Sequence, residues 1–369
     1  MLKLSQPNIS EEAIAAVANV LRSGQLVHGQ ECETFERELA AYLGCSEVVL
    51  VSSGTAALHV ALLALDIGPG DAVIVPDFTF PATANVVALT GARAVIVDVM
   101  PDTYTLDTAQ FERVVSGWTG PERLRAVIPV HEFGYVADMA EINRIAKAHG
   151  LAVVEDAACA LGASLADRKA GTWGDAGCFS FHPRKTLTTG EGGAISTDNV
   201  ELAARMRRLR NHGMERTEEG MRFFEPATNY RLTNFQAALG RAQLALLDNW
   251  IAQRRRLASV YLELLAPLQA RGLLRLPDHA AGHSWQTFMV VNTSGQPRSE
   301  IIQALRDAGV EANLGAQSLS ALGIYGGSEQ AAPCGGNLYR EGIALPFCEQ
   351  YSEAMLETVA QALTQYFAA

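Results

Sequence analysis

Three separated groups of residues carry the chemical possibilities of this chain. The first is Ser52-Ser53-Gly54-Thr55-Ala56, where an apolar run ends and a helical pattern opens. The unpaired N–H groups and positive dipole end of a helix start suit an anion such as a phosphate. The second is Asp156 in "AVVEDAACALGA", an acid at the end of what reads as a central strand. Open α/β sheets collect ligands at such ends, and an acid there can keep a proton on a ring nitrogen. The third is Lys185 in "FSFHPRKTLTTGEGG", set just after another apolar run and followed by a glycine-rich return, with Ser180, Thr186, Thr188 and Thr189 as hydroxyls that could surround its amine.

Each group has an ordinary explanation on its own. Ser or Thr caps many core helices, Asp156 could cap a helix opening at Ala157, and a lysine ammonium is normally solvated. In chain order the three supply what pyridoxal 5′-phosphate (PLP) requires: an anion site for its phosphate, a carboxylate for its pyridinium and a lysine for its aldehyde.

The elements that must position these groups are legible as pattern. Between residues 48 and 200 lie the runs "VVLV", "DAVIVP", "ARAVIVDV", "RAVIPV", "LAVVED", "AGCFSF" and "GGAIST", separated by helical stretches such as "MAEINRIAKAHG". Strands apolar on both faces belong to a mainly parallel sheet covered by helices, so we expect a three-layer α/β/α unit around a seven-stranded sheet. Two amphipathic helices precede it, "SEEAIAAVANVLRSG" and "ECETFERELAAYLG", each stopped by glycine. After residue 200 long helices rich in Leu, Ala and Arg follow. The last third shows a strand in "WQTFMVV" (285–291), a helix in "RSEIIQALRDAGV" that Ser299 could cap, and a Gly/Pro-rich loop at 323–337. This predicts a large domain over 1–250, with the N-terminal helices, and a smaller C-terminal α+β domain over 251–369. Arg254-Arg255-Arg256 reads as one solvated helix face.

Composition narrows the classes. With 29 basic against 40 acidic residues and a formal charge of -11, neither nucleic acid nor an anionic membrane is an expected partner. "AALHVALLAL", among the longest apolar runs, is far short of a membrane span, and the N-terminus has no apolar leader pattern. Six scattered cysteines without CxxC spacing argue against a zinc ribbon or disulfide framework and suit a cytoplasmic protein with reduced thiols. No metal-ligand spacing is found. A dinucleotide or P-loop fingerprint is also missing from "SSGTAAL".

The order "SGTAAL", "PDFTFPATAN", "VHEFGYVADM", "EDAACALGA", "SFHPRKTLTTGEGGAI" and "NYRLTNFQAALGRAQL" resembles the DegT-type sugar aminotransferases, members of the aspartate-aminotransferase class (PLP fold type I), over essentially the whole chain. The resemblance implies that Lys185 forms the internal Schiff base and moves protons, and that Asp156 pairs with the pyridinium nitrogen. It implies that Gly54, Thr55 and Ala56 offer backbone N–H groups to the phosphate, that Ser180 adds a hydroxyl, and that Phe80 stacks on the ring face. Asn229 matches a residue that reaches the phosphate from the neighbouring subunit, which implies a homodimer with shared active sites. Cys159 stands at the ring where many members carry Gln or His, and a thiol is a weak hydrogen-bonding group. His131, His182, His212 and Glu191 occupy motif positions but read first as structural. The implied reaction moves an amino group from glutamate or glutamine to a keto sugar, expected to be nucleotide-linked; the alternatives are a keto-inositol (aminocyclitol) aminotransferase and a PLP-binding regulator without turnover. Dehydrating relatives replace the lysine by histidine, so Lys185 speaks against that branch.

Overall fold

Each of the seven β-branched runs forms a strand of one sheet in the structure, a computed structural model that describes residues 1–327 and 329–368. Ser328, inside the expected 323–337 loop, and Ala369 lie outside the described residues. The strands are β1 (Glu47–Val51), β2 (Asp71–Pro76), β3 (Arg93–Val97), β4 (Arg123–Val127), β5 (Ala152–Asp156), β6 (Ala176–Ser180) and β7 (Gly193–Thr197), in the order β1-β7-β6-β5-β4-β2-β3. Five of them, β6-β5-β4-β2-β3, pair in parallel. β7 runs antiparallel to β6, and β1 antiparallel to β7, so β1 points the same way as the parallel five. The carboxyl ends of β1, β5 and β6 therefore emerge on one edge of the sheet.

Both faces of this sheet are buried, which is why the runs look uniformly apolar. Val48 and Leu50 enter one hydrophobic core while Val49 and Val51 enter the other, and Val153 and Val154 divide in the same way. That is the two-residue side-chain period of a strand covered by helices on either side. The helices start and stop where their caps direct. Helix Glu11–Ser23 begins with the Ser10 side chain accepting from the Ala13 N–H and ends at Gly24 with φ +72°.

A three-stranded antiparallel sheet, Leu274–Arg275, Phe288–Asn292 and Gly342–Leu345, carries a separate core around Trp285, Tyr261, Phe288 and Phe347. Helix Leu247–Ala270 links the two cores: Leu247 and Ile251 pack in the first, Leu257, Tyr261 and Leu265 in the other. The amino-terminal residues also join it, since Leu4 accepts from the Phe347 N–H at 2.9 Å.

Four local expectations are corrected. The strand expected at 285–291 runs Phe288–Asn292; Trp285 has φ +53° and stacks on His283 at 3.9 Å, outside any ladder. Ser299 does not cap its helix, which begins at Arg298 after Pro297 and has no side-chain cap. The 323–337 segment is not all loop: helix Pro333–Glu341 starts within it, its first N–H groups at Cys334 and Gly335 donating to the Asp98 carboxylate at 3.0 and 2.8 Å. That cap comes from a distant segment. Finally, Arg254–Arg256 is not one solvated face. Arg254 is buried and pairs with Glu349 at 2.8 Å, whereas Arg256 is exposed and pairs with Glu353. Consecutive helical residues point about 100° apart, so three in a row cannot share a face.

Candidate active site

The helix start after β1 is shaped by Ser53, whose side chain caps Gly54–Ala64 by accepting from the Ala56 N–H at 3.0 Å. Ala56 is thereby spent and does not line the cavity, a correction to the expectation that it offers its N–H to an anion. Gly54 and Thr55 do line it, and neither backbone N–H has a recorded protein acceptor among the described residues. Gly54 is required here by proximity: a Cβ at this position would lie 2.8 Å from Ser180 Cβ. The same close approach brings the Ser180 hydroxyl to the cavity wall beside the helix start.

Asp156 ends β5 and is 6% exposed. It does not open a helix, because residues 157–160 form a turn; its Oδ1 accepts from the Ala158 N–H at 3.2 Å. Its Oδ2 accepts from the Thr83 hydroxyl at 2.8 Å, and the Thr83 oxygen lies 3.0 Å from the Thr79 hydroxyl. A carboxylate only accepts, so the proton order is Thr79 to Thr83 to Asp156. Burial pushes the Asp156 carboxyl above the ordinary carboxylate value, and the Thr83 and Ala158 bonds, with the charge on Lys185, work against that.

Lys185 follows β6 in a turn whose N–H donates to the His182 carbonyl at 2.8 Å. Its Nζ donates to Cys159 Sγ at 2.9 Å, the one acceptor for that amine among the described residues. Burial works against the ammonium, but Cys159, Glu132 and Asp156 outweigh it and leave Lys185 above the ordinary lysine value. Burial pushes the Cys159 thiol up. The threonines of the return act otherwise than expected. The Thr188 hydroxyl donates to the Phe181 carbonyl at 2.8 Å and the Thr189 hydroxyl to the Glu191 carbonyl at 2.7 Å, so they tie the loop backbone rather than surround the amine. Gln243 and Gln236 complete the clamp, holding Thr188 and Glu191 by their carbonyls at 2.6 Å each.

These pieces meet around one cavity of about 360 Å³. Phe80, 63% exposed, stands on its wall rather than in a core. His182 and Glu191 line it as well. His131 does not: Ala137 N–H donates to its Nδ1 at 3.2 Å, so the ring is neutral and its Nε2–H donates to Glu155 at 2.8 Å. Glu155 also accepts from Gly171, Trp173 and Gly174, making this pair a buried backbone anchor. His212 is exposed and Asn229 pairs its backbone with Asn211; neither lines this cavity. Sequence reading missed Thr83, Thr79 and Glu132. All three sat inside quoted motifs, "PDFTFPATAN" and "VHEFG", whose aromatic and histidine drew the attention.

The family model of the DegT/DnrJ/EryC1/StrS aminotransferases matches residues 7–364. The chain belongs to this family. Its structure is similar to that of S. venezuelae DesV in complex with a ketimine intermediate, at 37% identity and a TM-score of 0.88, covering 96% of this chain and 94% of that one. It is also similar to the aminotransferase TlmJ from Streptoalloteichus hindustanus, at 31% identity and TM-score 0.92 over 100% and 99% of the two chains. The candidate sugar aminotransferase Spr1654 from Streptococcus pneumoniae, in its PMP form, matches at 27% identity and TM-score 0.88 over 99% of each chain. The protein is thus an aminotransferase of PLP fold type I, with the expected α/β architecture. DegT-family aminotransferases work with PLP, and the residues present fit it: free N–H groups at a helix start, a carboxylate held by a hydroxyl, and a lysine whose amine faces the same cavity. Among the described residues no helix is long and apolar enough to cross a membrane.

Proposed function

We propose that this aminotransferase moves an amino group from glutamate or glutamine to a nucleotide-linked keto sugar, with PLP held in the cavity by Lys185. When bound, PLP supplies an electron sink for charge developing at the amine-bearing carbon. The Gly54 and Thr55 N–H groups and the Ser180 hydroxyl would hold the phosphate. Asp156, whose carboxylate form the Thr83 hydroxyl favours, would hold the proton on the ring nitrogen. Phe80 would cover one ring face. Lys185, whose side chain lines the same cavity, would take and return the proton at the reacting carbon. Cys159 would stand at the ring's edge.

The observation that carries this reading is the convergence of Lys185, Asp156 and the Gly54–Thr55 helix start on one cavity. A sugar acceptor is supported by the candidate sugar aminotransferase among its relatives and by the amide-bearing wall formed by Gln286, Asn313 and Gln317. Arg184 on the same wall supplies a cation for a diphosphate. Asn229, which its own chain leaves off the cavity, supports a homodimer in which it completes the partner copy's phosphate site. The separate cores of the seven-stranded and the C-terminal sheets support a division into units of 1–250 and 251–369, and the six unpaired cysteines support cytoplasmic residence.

The test is spectroscopic and kinetic. Adding glutamate or glutamine to the PLP-loaded protein should bleach its visible band, and Lys185→Ala should abolish transfer to keto sugars. Appreciable transfer by Lys185→Ala without added amine, or a wild-type band indifferent to both donors, would refute the assignment.

A further inference from the structure

Two acids on the cavity wall, Glu132 and the exposed Glu191, have no part in the function proposed above, and Glu132 is the buried one. Glu132 is 4% exposed and lines the cavity wall, yet among the described residues nothing donates a hydrogen bond to its carboxyl. Buried polar groups nearly always find partners, because an unpaired one forfeits its hydration. Lys185 has the complementary deficit. Its ammonium carries three N–H donors, and Cys159 is its one acceptor among the described residues.

The backbone that carries Glu132 on the cavity wall is fixed on both sides. On one side His131 is held between Glu155 and the Ala137 N–H. On the other, Phe133 takes φ +53°, a conformation unfavourable for a residue with a Cβ. It is kept there by edge-on packing against Phe78 and Tyr104, at 6.1 and 5.9 Å, and by its carbonyl accepting from the Gln286 N–H at 2.8 Å. The ionisable groups that share the cavity wall with Glu132 are Lys185, Asp156, Cys159, His182, Arg184 and Glu191. Asp156 already accepts from Thr83 and Ala158, and His182 Nδ1 accepts from the Arg184 N–H.

We propose that Glu132 is the counter-acid of Lys185, a positioning residue that sets how firmly the Lys185 nitrogen keeps its proton and so when that amine is free to react. The inference rests on the reading of Lys185 as the reactive amine. Burial pushes the Glu132 carboxyl from 4.5 up to about 8, with the Lys185 charge pulling the other way. Glu132 is therefore ionised wherever a lysine above its ordinary value loses its proton. An ionised Glu132 favours the ammonium, so removing it must weaken the hold of Lys185 on its proton. The role also supplements the weak thiol at 159: besides Cys159, the acids Glu132 and Asp156 favour the ammonium of Lys185.

The chain has only four lysines, Lys3, Lys147, Lys169 and Lys185, so the amine can be observed directly. The full chain is labelled with 15N at its lysine side chains, the Lys185 signal is assigned by its loss in Lys185→Ala, and its titration is followed without cofactor. Glu132→Gln should move that titration to lower pH by about one unit or more, about a tenfold loss of proton affinity. Glu132→Asp, which keeps a carboxyl, should restore most of it. Coincident titrations of wild type and Glu132→Gln would overturn the proposal, as would a shift that Glu132→Asp shares in full. If Lys185→Ala transferred amino groups like wild type, the functional reading would fail while this titration still decided the coupling.

Discussion

Thr83→Val isolates the support of Asp156 with almost no change of shape. Thr83 is fully buried, and its hydroxyl donates to Asp156 Oδ2 at 2.8 Å. Valine replaces the hydroxyl with a methyl and leaves the carboxylate with only the Ala158 N–H, at 3.2 Å. A hydrogen bond to a charged group is worth about 1.5–3 kcal/mol, so the carboxyl of the free site should rise by about 1–2 pH units. The direction follows the existing balance, in which burial raises Asp156 and Thr83 opposes it. If PLP binds with Asp156 ionised against a protonated ring nitrogen, a protonated Asp156 must first release its proton. Affinity then falls as pH drops through the Asp156 value, and it falls earlier in the variant.

The assay is a titration of the cofactor-free protein with PLP, read by its visible band over a range of pH. At high pH, where Asp156 is ionised in both proteins, the dissociation constants should coincide. On the acid side the variant should bind about 10- to 100-fold more weakly, the same free energy read as affinity. Thr83→Ser, which keeps the hydroxyl, should stay close to wild type. If Thr83→Val folds with an unaltered melting temperature and its affinity falls at the same pH as wild type, then the hydroxyl does not hold the carboxylate and the account of Asp156 is wrong.

Two further outcomes follow from packing. Gly54→Ala places a methyl 2.8 Å from Ser180 Cβ; relieving that overlap should cost about 1–3 kcal/mol of stability, measured by denaturant melts, and should weaken inorganic phosphate or PLP binding at the same helix start. An unchanged melt would show that Ser180 yields freely. Glu349→Ala removes the partner of Arg254, whose guanidinium is 3% exposed and also donates to the Trp285 and Gln286 carbonyls. Leaving that charge unpaired should cost about 3–5 kcal/mol, seen as a fall in melting temperature, whereas a loss below 1 kcal/mol would mean that water replaces the carboxylate.

The parts of the site legible in the sequence are those whose role is local. A strand that ends in Ser-Ser-Gly before a helix, an acid closing a strand and a lysine in the turn after another all lie at one sheet edge once the strands run together, and the seven apolar runs required that. What escaped was decided by register or by distance. Ala56 was credited with a free N–H because the capping residue was not fixed; with Ser53 as the cap, its hydroxyl takes that donor. The helix at Pro333–Glu341 forms on a glycine-rich segment because Asp98, more than 230 positions earlier, accepts from its first N–H groups.

Thr83 and Glu132 escaped for the same reason, and together they change how the site is understood. Neither belongs to a motif's chemistry when read in sequence, since a threonine inside an apolar helix and a glutamate beside a histidine have many structural uses. Folding sets the first against Asp156 and places the second on the wall that Lys185 shares. In the proposed reading each of the two residues that the motifs identify is governed by one that they do not, Asp156 toward keeping its charge and Lys185 toward keeping its proton. The residues proposed to carry the cofactor chemistry lie at the sheet edge, where strand pattern makes them readable. The protonation states on which that chemistry depends are set by side chains that only the tertiary fold brings to the cavity.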